Sequence, residues 1–174
     1  MAPFRLFTSN AIALHQLALV SSALILGLTT YVAVRGATRS MFPTASHAAG
    51  EGPAVLAAVC AVLMPWRITE LSHLQLTIAQ FFPLVWWWTI RTLREDVPFR
   101  RSAGLALCTA VQLLSSFYLA YYLTLSTGIL ILVVGFATAE RRHRLPRLAA
   151  SLAPAYALFG LTGLPYLAMR AKDV

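Results

Sequence analysis

Four side chains able to hold a phosphate or a hydroxyl crowd into one short stretch, Pro65-Trp66-Arg67-Ile68-Thr69-Glu70-Leu71-Ser72-His73-Leu74-Gln75. On a helix, Arg67, Glu70 and His73 follow one another at i,i+3 and share a face. Gln75 follows His73, and Gln80 lies near the same face about a turn and a half further on. A guanidinium presents a planar fork that matches phosphate oxygens, so Arg67 suits a phosphate. Glu70 or His73 suits a base, or a group that orients an acceptor hydroxyl. The same residues also suit a plainer role, capping helix ends and pairing with lipid headgroups at a membrane surface. One histidine and one carboxylate lack a third ligand at useful spacing, so these residues alone make no metal site.

What must position this stretch is a set of apolar segments. The chain has 174 residues, 59% hydrophobic and 11% charged, with a mean hydropathy of +0.70. A soluble domain carries roughly 25% charged residues to cover its surface. The apolar residues come in long blocks separated by basic clusters. A block of about 20 residues, at 1.5 Å per helical residue, matches a hydrocarbon core of roughly 30 Å. Lipid satisfies no backbone groups, so each block is expected to be a helix; the alternation of a membrane β-barrel is absent. The fold class expected is all-α, a polytopic helical bundle of about six transmembrane helices in one domain covering residues 1–174.

The expected spans are residues 11–34, 54–64, 74–90, 103–115, 118–139 and 148–167. The first is too long for a signal-peptide core of about 7 to 15 residues. Residues 103 to 139 would make a single helix of roughly 55 Å, and Ser115-Ser116 divides it in two. The net charge of +8 does not point to nucleic acid, because the arginines sit between spans. With the N-terminus outside, the cytoplasmic connections hold Arg35, Arg39, Arg91, Arg94, Arg100, Arg101, Arg141, Arg142, Arg144 and Arg147. The outer side keeps Arg5, Arg67, Arg170 and Lys172. Basic residues collect on the cytoplasmic side, so the expected arrangement in the membrane has the N-terminus outside. Trp86-Trp87-Trp88 and Tyr31 then fall at the inner interface, Trp66, Tyr118 and Tyr166 at the outer one.

Polar groups inside spans are costly unless partnered. Gln112, Ser115, Ser116, Tyr118, Tyr121 and Tyr122 gather around the outer turn between the fourth and fifth spans. Hydrogen bonds between helices account for them; a polar lining to an outward-facing cavity is the alternative. Cys60 and Cys108 stand singly in apolar segments and read as small core residues. No phosphate loop, Ser-His-Asp set or paired intramembrane carboxylates are present in the sequence. The scarcity of acids within the spans, with no internal repeat, weighs against a transporter.

The run Trp66 to Gln75, with Pro83-Leu84, Gln112-Leu113-Leu114-Ser115-Ser116, Tyr118, Tyr121 and Leu164-Pro165-Tyr166-Leu167, resembles a stretch of the large bacterial polytopic glycosyltransferases of the GT-C type. The resemblance covers most of the chain. It implies transfer of a sugar from a polyprenyl-phosphate carrier at the extracytoplasmic face. It also implies a site drawn from Arg67, Glu70, His73, Gln75, Gln80, Gln112, Tyr118 and Tyr121. Such enzymes carry their catalytic acid in a large outer loop after an initial span, and neither precedes the first span here, so no residue is assigned that role. A divalent metal, often used by such enzymes, would need ligands from segments this chain lacks; no cofactor is evident in the sequence itself. An N-terminus placed outside and the missing loop both point to a fragment of a longer enzyme. The rival expectation is a non-enzymatic membrane subunit or scaffold packing against partner helices, with membrane lipids as its surroundings.

Overall fold

The computed structural model describes residues 10–44, 50–63 and 79–170. Among them every regular element is a helix. In chain order these are α1 (Ala11–Met41), α2 (Glu51–Val62), α3 (Phe82–Arg94), α4 (Phe99–Ser115), α5 (Phe117–Leu130), a π-helical turn (Ile131–Gly135), α6 (Ala139–His143) and α7 (Leu145–Arg170). The chain divides into two compact units, 1–87 and 88–174. Two runs are long and apolar enough to cross a membrane, Ala11–Met41 and Tyr118–Gly135. Only 28% of the apolar window in each is buried, whereas the central helix of a soluble core would be mostly covered.

In the first unit, α1 begins where Asn10 caps it. The Asn10 side-chain oxygen accepts from the backbone N–H groups of Ile12 (2.9 Å) and Ala13 (3.3 Å), two of the donors every helix start leaves unpaired. The helix runs past residue 34, the expected end of the apolar span, to Met41. Hydropathy marks where lipid would end, not where winding ends, and arginine is a good helix former. α1 packs on α2 through a close approach at Gly27, where a Cβ would lie 3.1 Å from Val62 Cγ2. Gly36 is tighter: a Cβ there would come within 2.2 Å of the Trp87 ring. Cys60 is exposed on α2, which corrects its expected place among core residues: α2 buries only Ala54.

In the second unit, α4 packs against α5 and α7, around a core that includes Leu93, Leu105, Leu113, Leu123 and Leu148. Gly104 lies under Trp88, with 2.9 Å between its would-be Cβ and the ring. α4 and α5 meet at Ser116, whose extended backbone (φ −161°, ψ 124°) breaks the winding. The Ser116 hydroxyl then accepts from the Leu119 N–H at 3.4 Å and caps α5. The π-helical turn ends near two arginines that reach back to terminal carbonyls, Arg141 to Val134 O (3.5 Å) and Arg142 to Phe136 O (3.4 Å). Cations placed there offset the negative end of the helix dipole.

Beside that apolar core, several polar side chains are buried and many large apolar ones are exposed. Ser22, Thr29, Thr92, Thr109, Gln112 and Ser151 are buried, while Leu24, Leu28, Leu114, Leu125, Ile129 and Leu132 are exposed. Many hydroxyls donate to the carbonyl four residues back, among them Ser21 to Leu17 (2.6 Å), Thr38 to Val34 (2.9 Å) and Thr124 to Ala120 (2.8 Å). A hydroxyl bonded within its own helix needs no water.

Candidate functional site

Arg67, Glu70, His73 and Gln75 lie outside the described residues. Gln80 is described, in the turn that leads into α3, and it is tied to α1 twice. Its Oε1 accepts from the Ser22 hydroxyl at 3.1 Å, and its backbone carbonyl accepts from the Thr29 hydroxyl. Ser22 and Thr29 are seven residues apart, two turns on one face of α1, and both are buried. The amide therefore holds the approach to α3 against α1.

In the second unit, Gln112 is fully buried. Its Nε2 donates to Ser115 Oγ at 3.2 Å, and the Ser115 hydroxyl donates to the Gln112 carbonyl at 2.8 Å. Gln112 thus helps finish α4 just before the break at Ser116. Beyond the break, Tyr118 and Tyr121 are exposed and form an aromatic group with Tyr122. The ring centroids are 5.3 Å apart for Tyr118–Tyr122 and 5.5 Å for Tyr121–Tyr122, distances typical of tilted and edge-to-face pairs. The Tyr122 hydroxyl donates to that of Tyr118 at 3.4 Å. The α4–α5 junction thus brings Gln112 and Tyr118 into one short stretch of chain, with Tyr121 on the next turn. Gln80 belongs to the other unit.

Sequence reasoning missed a charged cluster in the first unit. Tyr31, Arg35 and Arg39 recur every four residues along α1, and Glu51 opens α2. The Tyr31 hydroxyl donates to Glu51. Arg35 pairs with the same carboxylate at 2.6 Å, and Arg39 approaches it at 3.9 Å. The Arg35 guanidinium also lies 5.6 Å from the Tyr31 ring centroid, within cation–π range. The Tyr31 hydrogen bond, with the two guanidinium charges, holds the Glu51 carboxyl below its ordinary value of 4.5, against the opposing effect of burial. The i, i+4, i+8 spacing was visible in the sequence; the two arginines were read only as markers of orientation.

A second polar tie lies in the second unit. Arg147 donates to Asp96 Oδ1 at 2.9 Å and to the Val97 carbonyl at 2.8 Å. It joins the start of α7 to the α3–α4 connection, two parts of the chain that the charge pattern assigns to the same side. Among the described residues no three His, Cys, Asp or Glu side chains are grouped to hold a metal ion, so no step is derived through one. No protein-family model, curated protein or solved structure matches the chain.

Proposed function

We propose that this chain is a polytopic α-helical protein of the bacterial cytoplasmic membrane, N-terminus outside, and the membrane-embedded part of a glycosyltransferase-like system. In this reading Arg67, Glu70, His73 and Gln75, with Gln80, engage a polyprenyl-phosphate sugar at the extracytoplasmic face. One observation carries the membrane half: the two long apolar helical runs, Ala11–Met41 and Tyr118–Gly135, leave most of their apolar windows uncovered. The bond from Arg147 to Asp96 and Val97 supports placing their two basic connections on one side. The sugar-transfer half rests on the chemistry of the Trp66–Gln75 stretch and its resemblance to the GT-C enzymes.

The test uses vesicles containing the full chain and a radiolabelled polyprenyl-phosphate sugar. Arg67→Ala is expected to weaken retention of the lipid-linked sugar by about tenfold or more, the scale of one lost charge-assisted phosphate contact, with expression unchanged. Equal loss of binding and expression would make Arg67 a structural residue. A second reading, a non-enzymatic subunit packing against partner helices, has its own support. Gln80, Gln112 and the Tyr156–Thr124 bond of 3.1 Å use polar groups to join or finish helices. Co-purification of a stable membrane partner, with no effect of Arg67→Ala on any lipid-linked sugar, would favour it.

A further inference from the structure

Several helix ends meet in the second unit. Arg147, at the start of α7, holds Asp96 and the Val97 carbonyl, between α3 and α4. A Cβ at Gly135, where the π-helical turn closes, would stand 3.0 Å from Leu145 Cδ2 and 3.6 Å from Leu93 Cδ2. These contacts draw residues 91–101 and 140–147 to one end of the unit. The two stretches carry eight arginines and three acidic side chains. Each acid is taken, Glu95 by Arg91, Asp96 by Arg147 and Glu140 by Arg144. Arg94, Arg100, Arg101, Arg141 and Arg142 have no acidic partner among the described residues. The hydrogen bonds of the Arg141 and Arg142 side chains go to backbone carbonyls, which cancel no unit charge. Arg94, Arg100, Arg101 and Arg142 are exposed. An apolar strip begins beside these cations. Leu132, Val133 and Phe136 are exposed where the Tyr118–Gly135 run ends, and the Arg142 guanidinium lies 5.7 Å from the Phe136 ring centroid.

We propose that this basic end binds anionic glycerophospholipid, with the phosphates at the arginines and the acyl chains along the exposed face of the Tyr118–Gly135 run. The inference rests on reading that run as a membrane span and is independent of any sugar chemistry at Arg67. Charge complementarity selects an anion, because five guanidinium charges are left over once the acids are paired. The apolar strip selects a lipid. A free phosphate or a nucleic acid would meet the cations but leave Leu132 and Val133 against water, which opposes exposure of apolar surface. An amphiphile meets both in the order in which they occur, phosphate at the arginines and hydrocarbon beside them. A zwitterionic headgroup carries its own cation next to the phosphate, so it gains less from the same arginines.

The experiment is gel filtration of the full chain in micelles of an uncharged detergent doped with equal amounts of phosphatidylglycerol and phosphatidylcholine, with the retained lipid quantified. Phosphatidylglycerol is expected in excess. Arg100→Gln with Arg101→Gln removes two charges that no described acid pairs, and is expected to lower the excess about fivefold per charge, the Boltzmann equivalent of one basic residue at an anionic surface. Arg100→Lys with Arg101→Lys keeps the charges and should keep the preference. Arg170→Gln lies about 35 Å from Arg147 along α7, at 1.5 Å per residue, and should leave the preference unchanged. In 1 M salt, where the screening length falls to about 3 Å, the preference should vanish. Equal retention of the two lipids by the unaltered chain would overturn the proposal. So would an effect of Arg170→Gln as large as that of the double glutamine substitution, or displacement of phosphatidylglycerol by an equal concentration of glycerol phosphate or of a short DNA duplex. Extraction of the chain from membranes by alkaline carbonate would overturn the membrane reading itself, before any lipid is added.

Discussion

At the scale of single residues, the polar groups that chemistry would need are here also the groups that hold helices together. Gln80 illustrates this. Sequence spacing sets it near the Arg67–Glu70–His73 face, yet its described partners are Ser22 and Thr29 on α1. Ser22 precedes it by 58 residues, a separation that no local pattern encodes. A double-mutant cycle with Ser22→Ala and Gln80→Leu is expected to give a coupling of about 0.6 kcal/mol, the average for hydrogen bonds between membrane helices, measured by unfolding in mixed micelles. Glu51 offers a test by pH. Its carboxyl titrates below the ordinary 4.5 because Tyr31 and the arginines favour the charged form. The folded state therefore binds fewer protons than the unfolded one, and the stability this adds is complete at neutral pH. It fades as pH falls from the ordinary glutamate range through the lowered folded-state value. The gap in melting temperature between the unaltered chain and Glu51→Gln should close over that interval; a gap independent of pH would mean the cluster holds no preference for the carboxylate.

Helices obey simpler rules, and here the sequence was most readable. A run from 103 to 139 is too long for one span, and Ser115-Ser116 offered hydroxyls fit to end one helix and cap the next; α4 ends at Ser115 and Ser116 caps α5. Replacing Ser116 with alanine is expected to cost about 1 kcal/mol, the usual loss for an N-cap, read from thermal unfolding in detergent. The continuation of α1 to Met41 was not readable from hydropathy, which falls at Arg35 although winding persists. Helix-to-helix contact was hidden too. Nothing local says that Gly36 must be bare, yet Trp87 occupies the space a Cβ would take. Gly36→Val is expected to destabilise the first unit by about 1–3 kcal/mol through overpacking. Gly52, with no atoms within 4 Å of its would-be Cβ, should accept the same change with little packing penalty.

For the molecule as a whole, the proposed membrane reading turns on whether its exposed apolar surfaces meet lipid. The apolar faces of α1 and of the Tyr118–Gly135 run match the sequence pattern of apolar blocks between basic clusters. The number of crossings and their direction are a matter for labelling. In a cysteine-free background, single cysteines at positions 94 and 142 should react with a membrane-impermeant maleimide only after the cytoplasmic side is opened. Reaction from outside alone would invert the proposed orientation and place residues 67–75 in the cytosolic compartment. The expected Arg67–Gln75 site lies outside the described residues, whereas the Tyr31–Arg35–Arg39–Glu51 cluster, which the sequence reading missed, depends on α2 folding back onto α1. Spacing along one helix cannot supply that return.

The contact from Arg147 to Asp96 and Val97 also bears on how the protein is made. A ribosome delivers Asp96 long before Arg147, so the earlier connection waits for its clasp until most of the second unit has been synthesised. Nascent chains halted between these two positions should be cut by protease around residues 95–98, and chains extended beyond α7 should resist.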